Sequence, residues 1–195
     1  MKSIKKLIRQ NLRIRVVGFD DAPFKSRRNG PVKVAGVVCS GTRFEGMLWG
    51  EVRKDGNDAT DVIADMLLKS KFNDQVHMVL IDGLAFGGFN LIDLPELARC
   101  VDRPCVAVMR KLPDIAAINK ALMHFDDYEE RIGLIKKAGE IYTEGDLYFQ
   151  VIGEKPEVTA KALKRVSDQG NVPEALRLAH LIGAAVITGQ SSKRA

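Results

Sequence analysis

Acidic side chains stand at the ends of two apolar segments that lie far apart in the sequence. Asp20 and Asp21 follow the segment RIRVVGF, and Asp82 ends the segment VHMVLID. Adjacent carboxylates repel each other and are costly at a strand end unless water, a cation or a hydrogen-bond donor meets them. If the two segments are neighbouring strands, Asp82 and one member of the Asp pair form a site for Mg²⁺ or Mn²⁺. Such a site would support phosphoryl transfer.

Each of these aspartates also has a purely structural interpretation. An aspartate at a strand end commonly closes a turn, and Asp82-Gly83 is an ordinary turn dipeptide. The joint placement of both acids at the carboxyl ends of apolar strands favours a site, with Asp58 or Asp55 as a third carboxylate. This interpretation requires the oxygens of Asp20 and Asp82 to lie close together and not to be occupied by guanidinium groups.

The first part of the chain has the element order of an α/β protein. Runs rich in apolar and β-branched residues predict three antiparallel strands, with a hairpin turn at 40–42, and then a βαβ unit. The predicted strands span 12–19, 32–41, 43–53, 76–83 and 104–110, and the predicted helices begin near Asp58, at 93 and at 113. With the first, fourth and fifth strands parallel, this order is typical of the ribonuclease H-like fold, a mixed sheet flanked by helices.

The remainder of the chain adds helices and one more strand pair. Segments 126–139 and 155–168 predict helices, and segment 140–153 predicts two strands that separate at Glu144-Gly145-Asp146. A last helix is expected after Gly170, with Pro173 in its first turn and Asn171 at a cap position. We expect one domain over residues 1–195, with a basic N-terminal segment at 1–15.

Composition and charge restrict the cellular location and the binding partners that the sequence predicts. No apolar run reaches the length of a membrane span, and the first residues lack a signal-peptide core, so we expect a cytoplasmic protein with three reduced cysteines. Residues 1–33 hold ten Lys and Arg against two Asp, a net charge of +8, whereas the remainder holds 20 against 23, a net charge of −3. The basic segment predicts either a surface for nucleic acid or a solvated tail.

Other catalytic motifs are absent from the sequence. Gly83, Gly87 and Gly88 match neither of the glycine-rich nucleotide-binding spacings. His77 and His124 are not paired with a cysteine, and a lone histidine on a helix, such as His180, is usually structural. No esterase signature of the GxSxG type occurs.

Five motifs nonetheless make the chain resemble a mainly archaeal protein family of unknown function that is related to endonuclease V. They are RVVGFDDAPF, EGMLWGEVRKDGNDAT, VLIDGLAFGGFN, VAVMRKLP and VPEALRLAH. The resemblance covers about residues 12–195. It implies a ribonuclease H-like fold and Mg²⁺- or Mn²⁺-dependent cleavage of phosphodiester bonds in DNA or RNA.

The resemblance also implies roles for particular residues. Asp20 and Asp82 match metal ligands of endonuclease V, Arg110 stands where that family has a lysine, and His180 lies in a similar C-terminal stretch. We therefore expect Asp20, Asp82 and His180 to be catalytic. For the third metal ligand the family's glutamate has no clear match among Glu51, Asp55 and Asp58, and Asp58 is chosen because a helix N-cap points its carboxylate toward the sheet edge. The residues expected to contact phosphate are Arg110, Lys111, Lys25, Arg27 and Arg28.

The chain departs from endonuclease V in two places. The Pro-Tyr-Ile-Pro wedge that parts the strand around a deaminated base is missing from CSGTRFEG, and glycine and phenylalanine replace the histidine after the Asp-Gly motif. We therefore do not predict deoxyinosine repair. The alternative functions are a nucleic-acid-binding protein that has lost catalysis and a hydrolase of small phosphoesters, which would need a closed pocket.

Overall fold

The computed structural model describes residues 3–24 and 30–192. Within them the chain forms nine strands, seven α-helices and a short 3-10 helix at Asn73–Gln75. The strands are β1 (Arg15–Asp21), β2 (Pro31–Ser40), β3 (Arg43–Arg53), β4 (Met78–Asp82), β5 (Ala85–Phe86), β6 (Asn90–Leu91), β7 (Cys105–Met109), β8 (Tyr142–Glu144) and β9 (Leu147–Ile152). The helices are α1 (Ile4–Arg9), α2 (Ala59–Leu68), α3 (Leu94–Val101), α4 (Ile115–Leu122), α5 (Tyr128–Lys137), α6 (Pro156–Val166) and α7 (Glu174–Thr188).

Seven strands form one mixed sheet in the order β3-β2-β1-β4-β7-β9-β8. β1, β4 and β7 are parallel, and the remaining pairings in the sheet are antiparallel. The predicted ribonuclease H-like mixed sheet and its three parallel strands are therefore confirmed. The predicted hairpin turn between β2 and β3 also forms, and Gly41 adopts the left-handed φ of +63° there, which glycine tolerates without strain.

Successive residues of the central strands pack on opposite faces of the sheet. Val17 and Phe19 of β1 belong to the hydrophobic cluster that includes α2 and α3, whereas Val16 belongs to the cluster that includes α1, α6 and α7. This alternation follows from the two-residue period of a β-strand. Strands buried on both faces need near-continuous apolar sequence, which explains the apolar runs of β1, β4 and β7.

Helix α7 lies unusually close to β1 because Gly18 has no side chain. A Cβ atom at Gly18 would lie 2.7 Å from the backbone carbon of Ala175 and from the backbone nitrogen of Leu176. Ala175 and Ala179 of α7 are buried against the sheet. Small residues on both elements thus set the distance between helix and strand.

Three local features differ from the sequence-based expectations. The basic N-terminal segment contains α1, whose Ile4 and Leu7 are buried. The loop after β4 contains the hairpin of β5 and β6. The N-cap of α7 is Pro173, and Asn171 instead donates a hydrogen bond from Nδ2 to Oδ2 of Asp146 at 2.8 Å. Among the described residues, no helix is long and apolar enough to cross a membrane.

Candidate metal centre

Asp20 and Asp82 stand side by side at one edge of the sheet. β1 and β4 are parallel neighbours with Phe19 opposite Ile81, so the next residue of each strand lies at the same edge. His180 reaches this edge from α7, the helix that Gly18 allows to pack closely on β1. One ligand atom from each of Asp20, Asp82 and His180 lies within 4.8 Å of the others.

His180 contacts the more buried of the two acids directly. Its Nδ1 atom lies 2.9 Å from Oδ2 of Asp20, whose side chain is only 7% exposed. The ring nitrogen donates when the carboxylate is ionised and accepts when the carboxyl is protonated. The contact therefore fixes the orientation of the imidazole relative to Asp20 in either state.

Arg110 engages the second acid. Nη2 of Arg110 donates to Oδ2 of Asp82 at 3.0 Å, and both side chains are partly exposed. The sequence argument required the two aspartates to be free of guanidinium partners, and Asp82 meets that requirement only in part. One of its two oxygens holds Arg110, whereas Asp20 contacts His180.

Burial makes the carboxylate pair hard to ionise. It raises the pKa of Asp20 to about 8, with the charges of Asp82 and Asp21 adding to the effect and Arg110 opposing it. Burial also raises the pKa of Asp82, against the opposing charges of Arg110 and His180. Two carboxyl groups this close titrate as a pair, so at neutral pH they hold a proton between them unless a cation replaces it.

Asp21 has a different partner from Asp20. Its Oδ2 atom accepts a hydrogen bond from the backbone N–H of Gly87 at 2.6 Å, in the turn of the β5–β6 hairpin. Burial raises the pKa of Asp21, and the Gly87 hydrogen bond acts in the opposite direction. Gly87 and Gly88, which match no nucleotide-binding motif, have left-handed φ angles that form this turn.

The structure does not bring Asp58, the expected third ligand, to the other two aspartates. Its Oδ1 atom accepts from Nδ2 of Asn90 at 2.6 Å, and its Oδ2 atom pairs with Nε of Arg53 at 3.0 Å. Although burial acts to raise it, these hydrogen bonds hold the pKa of Asp58 below its usual value. Asp58 precedes α2 without making a side-chain cap, because its carboxylate is turned to the β5–β6 hairpin.

The other two acids considered for that position are also engaged elsewhere. Asp55 accepts at Oδ1 from the backbone N–H of Phe89 at 3.0 Å, and Glu51 pairs with Nζ of Lys33 at 2.5 Å. Within the described residues the only group of three metal-ligating side chains is therefore Asp20, Asp82 and His180.

The structure describes two of the five residues that are expected to contact phosphate. Arg110 lies at the centre, and the neighbouring Lys111 is exposed just after β7. Lys25, Arg27 and Arg28 lie outside the described residues.

Two recesses adjoin the acidic group. An open recess of about 390 Å³ contains all three candidate ligands together with Asp21 and segment 22–24. A second cavity of about 310 Å³ begins at Asp82 and is mainly apolar. Its wall includes Leu84, Phe89, Met109, Ile118, Ile135 and Gln150.

Arg131 is a buried residue whose structural role the sequence argument missed. It is 7% exposed and donates to the backbone carbonyls of Gly56, Phe89 and Asp55, while Nε pairs with Asp127 at 2.7 Å. The spacing of Asp127 and Arg131 predicts only a surface pair on a helix. Nothing in the sequence indicates that the guanidinium is buried and joins two loops near the site.

The donor set fits a divalent ion. Two carboxylates suit Mg²⁺ and Mn²⁺, and the imidazole nitrogen favours Mn²⁺, because Mg²⁺ prefers oxygen ligands. The three ligand atoms are close enough to contact one ion, and the proton held by the carboxyl pair is the species that such an ion would displace.

This chain is similar to a family model, to archaeal relatives and to a solved archaeal structure over most of its length. Residues 12–187 match the model of the family described as endonuclease dU. A UPF0215 protein from Pyrococcus furiosus is 40% identical over 185 residues, which cover 92% of this chain and 95% of the relative. A crystal structure of a protein of unknown function from Archaeoglobus fulgidus is 38% identical and superposes with a TM-score of 0.85, over 90% of this chain and 99% of that one.

More distant structures share the fold. The catalytic domain of human endonuclease V is 15% identical, with a TM-score of 0.62 over 97% of this chain and 88% of that one. Endonuclease V from Ciona intestinalis, solved in complex with DNA containing an inosine followed by a ribo-adenosine, is 16% identical, with a TM-score of 0.53 over 86% of this chain and 83% of that one. The chain therefore belongs to the endonuclease dU family, an archaeal family related to endonuclease V.

Proposed function

We propose that this protein is a divalent-metal-dependent nuclease that hydrolyses phosphodiester bonds in nucleic acid. The observation that carries the proposal is the convergence of Asp20, Asp82 and His180 within 4.8 Å at the carboxyl edge of a nuclease-type sheet. The proposal agrees with the family model and with the endonuclease V fold.

Each residue of the centre has a distinct part in this proposal. Asp20 and Asp82 hold the ion, and His180 orients Asp20 through the contact at Nδ1 and adds a nitrogen ligand. A divalent ion at this position would lower the pKa of a bound water and neutralise charge that develops on the phosphoryl group. Arg110 and Lys111 contact the phosphate from the end of β7. The open recess suits a polymer better than a small phosphoester.

The substrate proposal rests on the family and on the cavity beside Asp82. The family description names dU, which is deoxyuridine, and the related Ciona structure contains DNA. The apolar wall of the 310 Å³ cavity resembles the surroundings that an unstacked base meets in enzymes that extrude a nucleotide. DNA with a single deoxyuridine is thus the first substrate to examine, before deoxyinosine DNA, undamaged DNA and RNA.

A cleavage assay with end-labelled oligonucleotides tests the proposal. We expect nicking in Mn²⁺ or Mg²⁺ and none in EDTA. Asp82→Asn should reduce the rate by more than about 100-fold, because loss of outer-shell partners alone costs about 10–100-fold at metal sites. Asp61→Asn makes the same charge change at an exposed position of α2 and should leave the rate unchanged. Equal activity of Asp82→Asn and the wild type would refute the proposal.

A second candidate is a nucleic-acid-binding protein without catalysis. It is favoured by the absence of a third carboxylate from the described cluster and by the contact of Arg110 with Asp82. In that case the oligonucleotides stay intact in every metal, and the affinity falls steeply with salt but is unchanged in Asp82→Asn. Fluorescence anisotropy at several salt concentrations separates the two candidates.

A further inference from the structure

Arg110 makes fewer hydrogen bonds to its carboxylate partner than Arg99 and Arg177 make to theirs. Its contact with Asp82 is a single hydrogen bond from Nη2 at 3.0 Å, and Arg110 has no other hydrogen-bond partner among the described residues. Other arginines of this chain bind a carboxylate through both Nε and Nη2, as Arg99 does with Glu96 and Arg177 does with Glu174. The remaining N–H donors of the Arg110 fork are therefore available to a second anion.

The contact of Arg110 with Asp82 opposes the binding of a cation to both oxygens of that carboxylate. The charge of Arg110 lies against Asp82, one of the two carboxylates proposed to hold the ion, and a guanidinium close to a divalent cation is repelled by it. The Arg110 side chain is 36% exposed and follows the end of β7, so it can turn into the recess without disturbing the core. A phosphodiester in that recess offers the guanidinium a planar pair of acceptor oxygens in place of Asp82.

We propose that Arg110 exchanges between Asp82 and the phosphate of the substrate, and that this exchange couples metal binding to phosphodiester binding. Before the substrate binds, Arg110 competes with the cation for Asp82 and keeps the affinity for the ion low. When a phosphodiester binds, Arg110 leaves Asp82 for the phosphate, and the Oδ2 atom of Asp82 becomes free to bind the ion. Because coupling between two binding equilibria is reciprocal, the ion also strengthens phosphodiester binding by the same factor. This inference rests on the proposed metal centre.

The affinity for Mn²⁺ tests the exchange without any measurement of cleavage. Bound and free Mn²⁺ are measured by electron paramagnetic resonance, with and without the dinucleotide thymidylyl-thymidine, which carries one phosphodiester. Its uncharged methylphosphonate analogue is the control ligand. In the wild-type protein the phosphodiester should tighten Mn²⁺ binding by roughly tenfold, within the usual range of binding couplings, and the analogue should not.

Variants of Arg110 and of a distant lysine identify the source of the coupling. Arg110→Gln should bind Mn²⁺ about tenfold more tightly than the wild type without the dinucleotide and should lose most of the coupling. Arg110→Lys keeps the charge and should retain part of the coupling. Lys161→Gln removes an exposed charge of α6, a helix that carries none of the candidate ligands, and should leave the Mn²⁺ affinity without dinucleotide within about twofold of the wild type.

The outcomes separate this inference from the proposed function. If the wild type does not bind Mn²⁺, or if Asp82→Asn binds it equally well, the metal centre itself is wrong. If the wild type binds Mn²⁺ at Asp82 but the dinucleotide tightens binding equally in the wild type and in Arg110→Gln, the exchange is wrong and the metal centre stands.

Discussion

Replacement of Asp20 by asparagine should stabilise the metal-free protein and abolish its response to metal. Asp20 is 5% exposed, and its pKa is raised from 3.8 to about 8, first by burial and then by the charge of Asp82. In the unfolded chain the group ionises near pH 4, whereas in the folded protein it stays protonated to about pH 8. The folded protein therefore loses stability as the pH rises from 4 to 8. The asparagine side chain of the variant carries no charge to bury, so the substitution removes this loss.

The magnitude follows from the pKa difference. At pH 7 the pH lies about three units above the ordinary pKa of 3.8, at about 1.4 kcal/mol for each unit, so the gain is up to roughly 4 kcal/mol. In a chain of this size each kcal/mol changes Tm by about 2–4 °C. Thermal unfolding in EDTA should thus give a higher Tm for Asp20→Asn than for the wild type at pH 7 and a smaller difference at pH 5.

Addition of Mn²⁺ should reduce the difference in Tm between the two proteins. An ion that binds only the folded state at 100 times its Kd stabilises the wild type by about 2.7 kcal/mol, and this gain should increase with pH because the ion displaces a proton. Asp20→Asn should show no gain, and Asp61→Asn, with its exposed side chain, should behave as the wild type. A lower Tm for Asp20→Asn in EDTA, or an equal Mn²⁺ response, would show that Asp20 is an ordinary structural aspartate.

Three further substitutions test how the centre is built. Asp58→Asn should leave the Mn²⁺-induced rise in Tm unchanged. It should cost less than about 1 kcal/mol in urea unfolding, because the amide oxygen can still accept from Asn90 and the Arg53 side chain that loses its charged partner is 61% exposed. Loss of the Mn²⁺ response in this variant would show that Asp58 is a metal ligand. Gly18→Ala should lower the free energy of unfolding by roughly 1–3 kcal/mol, because a Cβ would lie 2.7 Å from the backbone of α7. It should also weaken the Mn²⁺ response, because the shift of α7 displaces His180. An unchanged urea midpoint would contradict this reasoning. Arg131→Lys should cost at least about 2 kcal/mol, because three partly buried backbone carbonyls lose the guanidinium that donates to them. It should also speed hydrogen exchange at Phe89, and unchanged exchange there would contradict the role of Arg131.

The sequence was sufficient to predict the sheet because its signal is local. A strand buried on both faces needs continuous apolar residues, so β1, β4 and β7 could be read from their own residues. Their parallel arrangement followed from the βαβ order. The adjacency of Asp20 and Asp82 then followed from the topology, without knowledge of any side-chain contact.

The structure does not bring the third carboxylate chosen from the sequence to the other two, and the direction of that side chain has no local signal. Helix caps are common roles for an aspartate, but the direction of the Asp58 carboxylate depends on Asn90, which lies 32 residues further along the chain. The loop before α2 also turns through Asp55, a non-glycine residue with a φ of +55°. No pattern in the sequence predicts that conformation or the buried guanidinium of Arg131.

The two adjacent acids at the end of β1 lie on opposite faces of the sheet. Side chains alternate along a strand, so Asp20 lies on the face of Val16 and α7, whereas Asp21 lies on the face of Val17 and Phe19. Asp20 therefore meets His180, and Asp21 meets the N–H of Gly87 on the other side.

The same alternation applies to the two strands that follow β1 in the parallel part of the sheet. Leu80 of β4 and Val108 of β7 belong to the α7 face, and Asp82 and Arg110 each follow two residues later, so both carry their side chains to that face. The two-residue period therefore places the whole polar group on the face of His180. It also explains why the carboxylate of Asp20, and not that of Asp21, contacts His180.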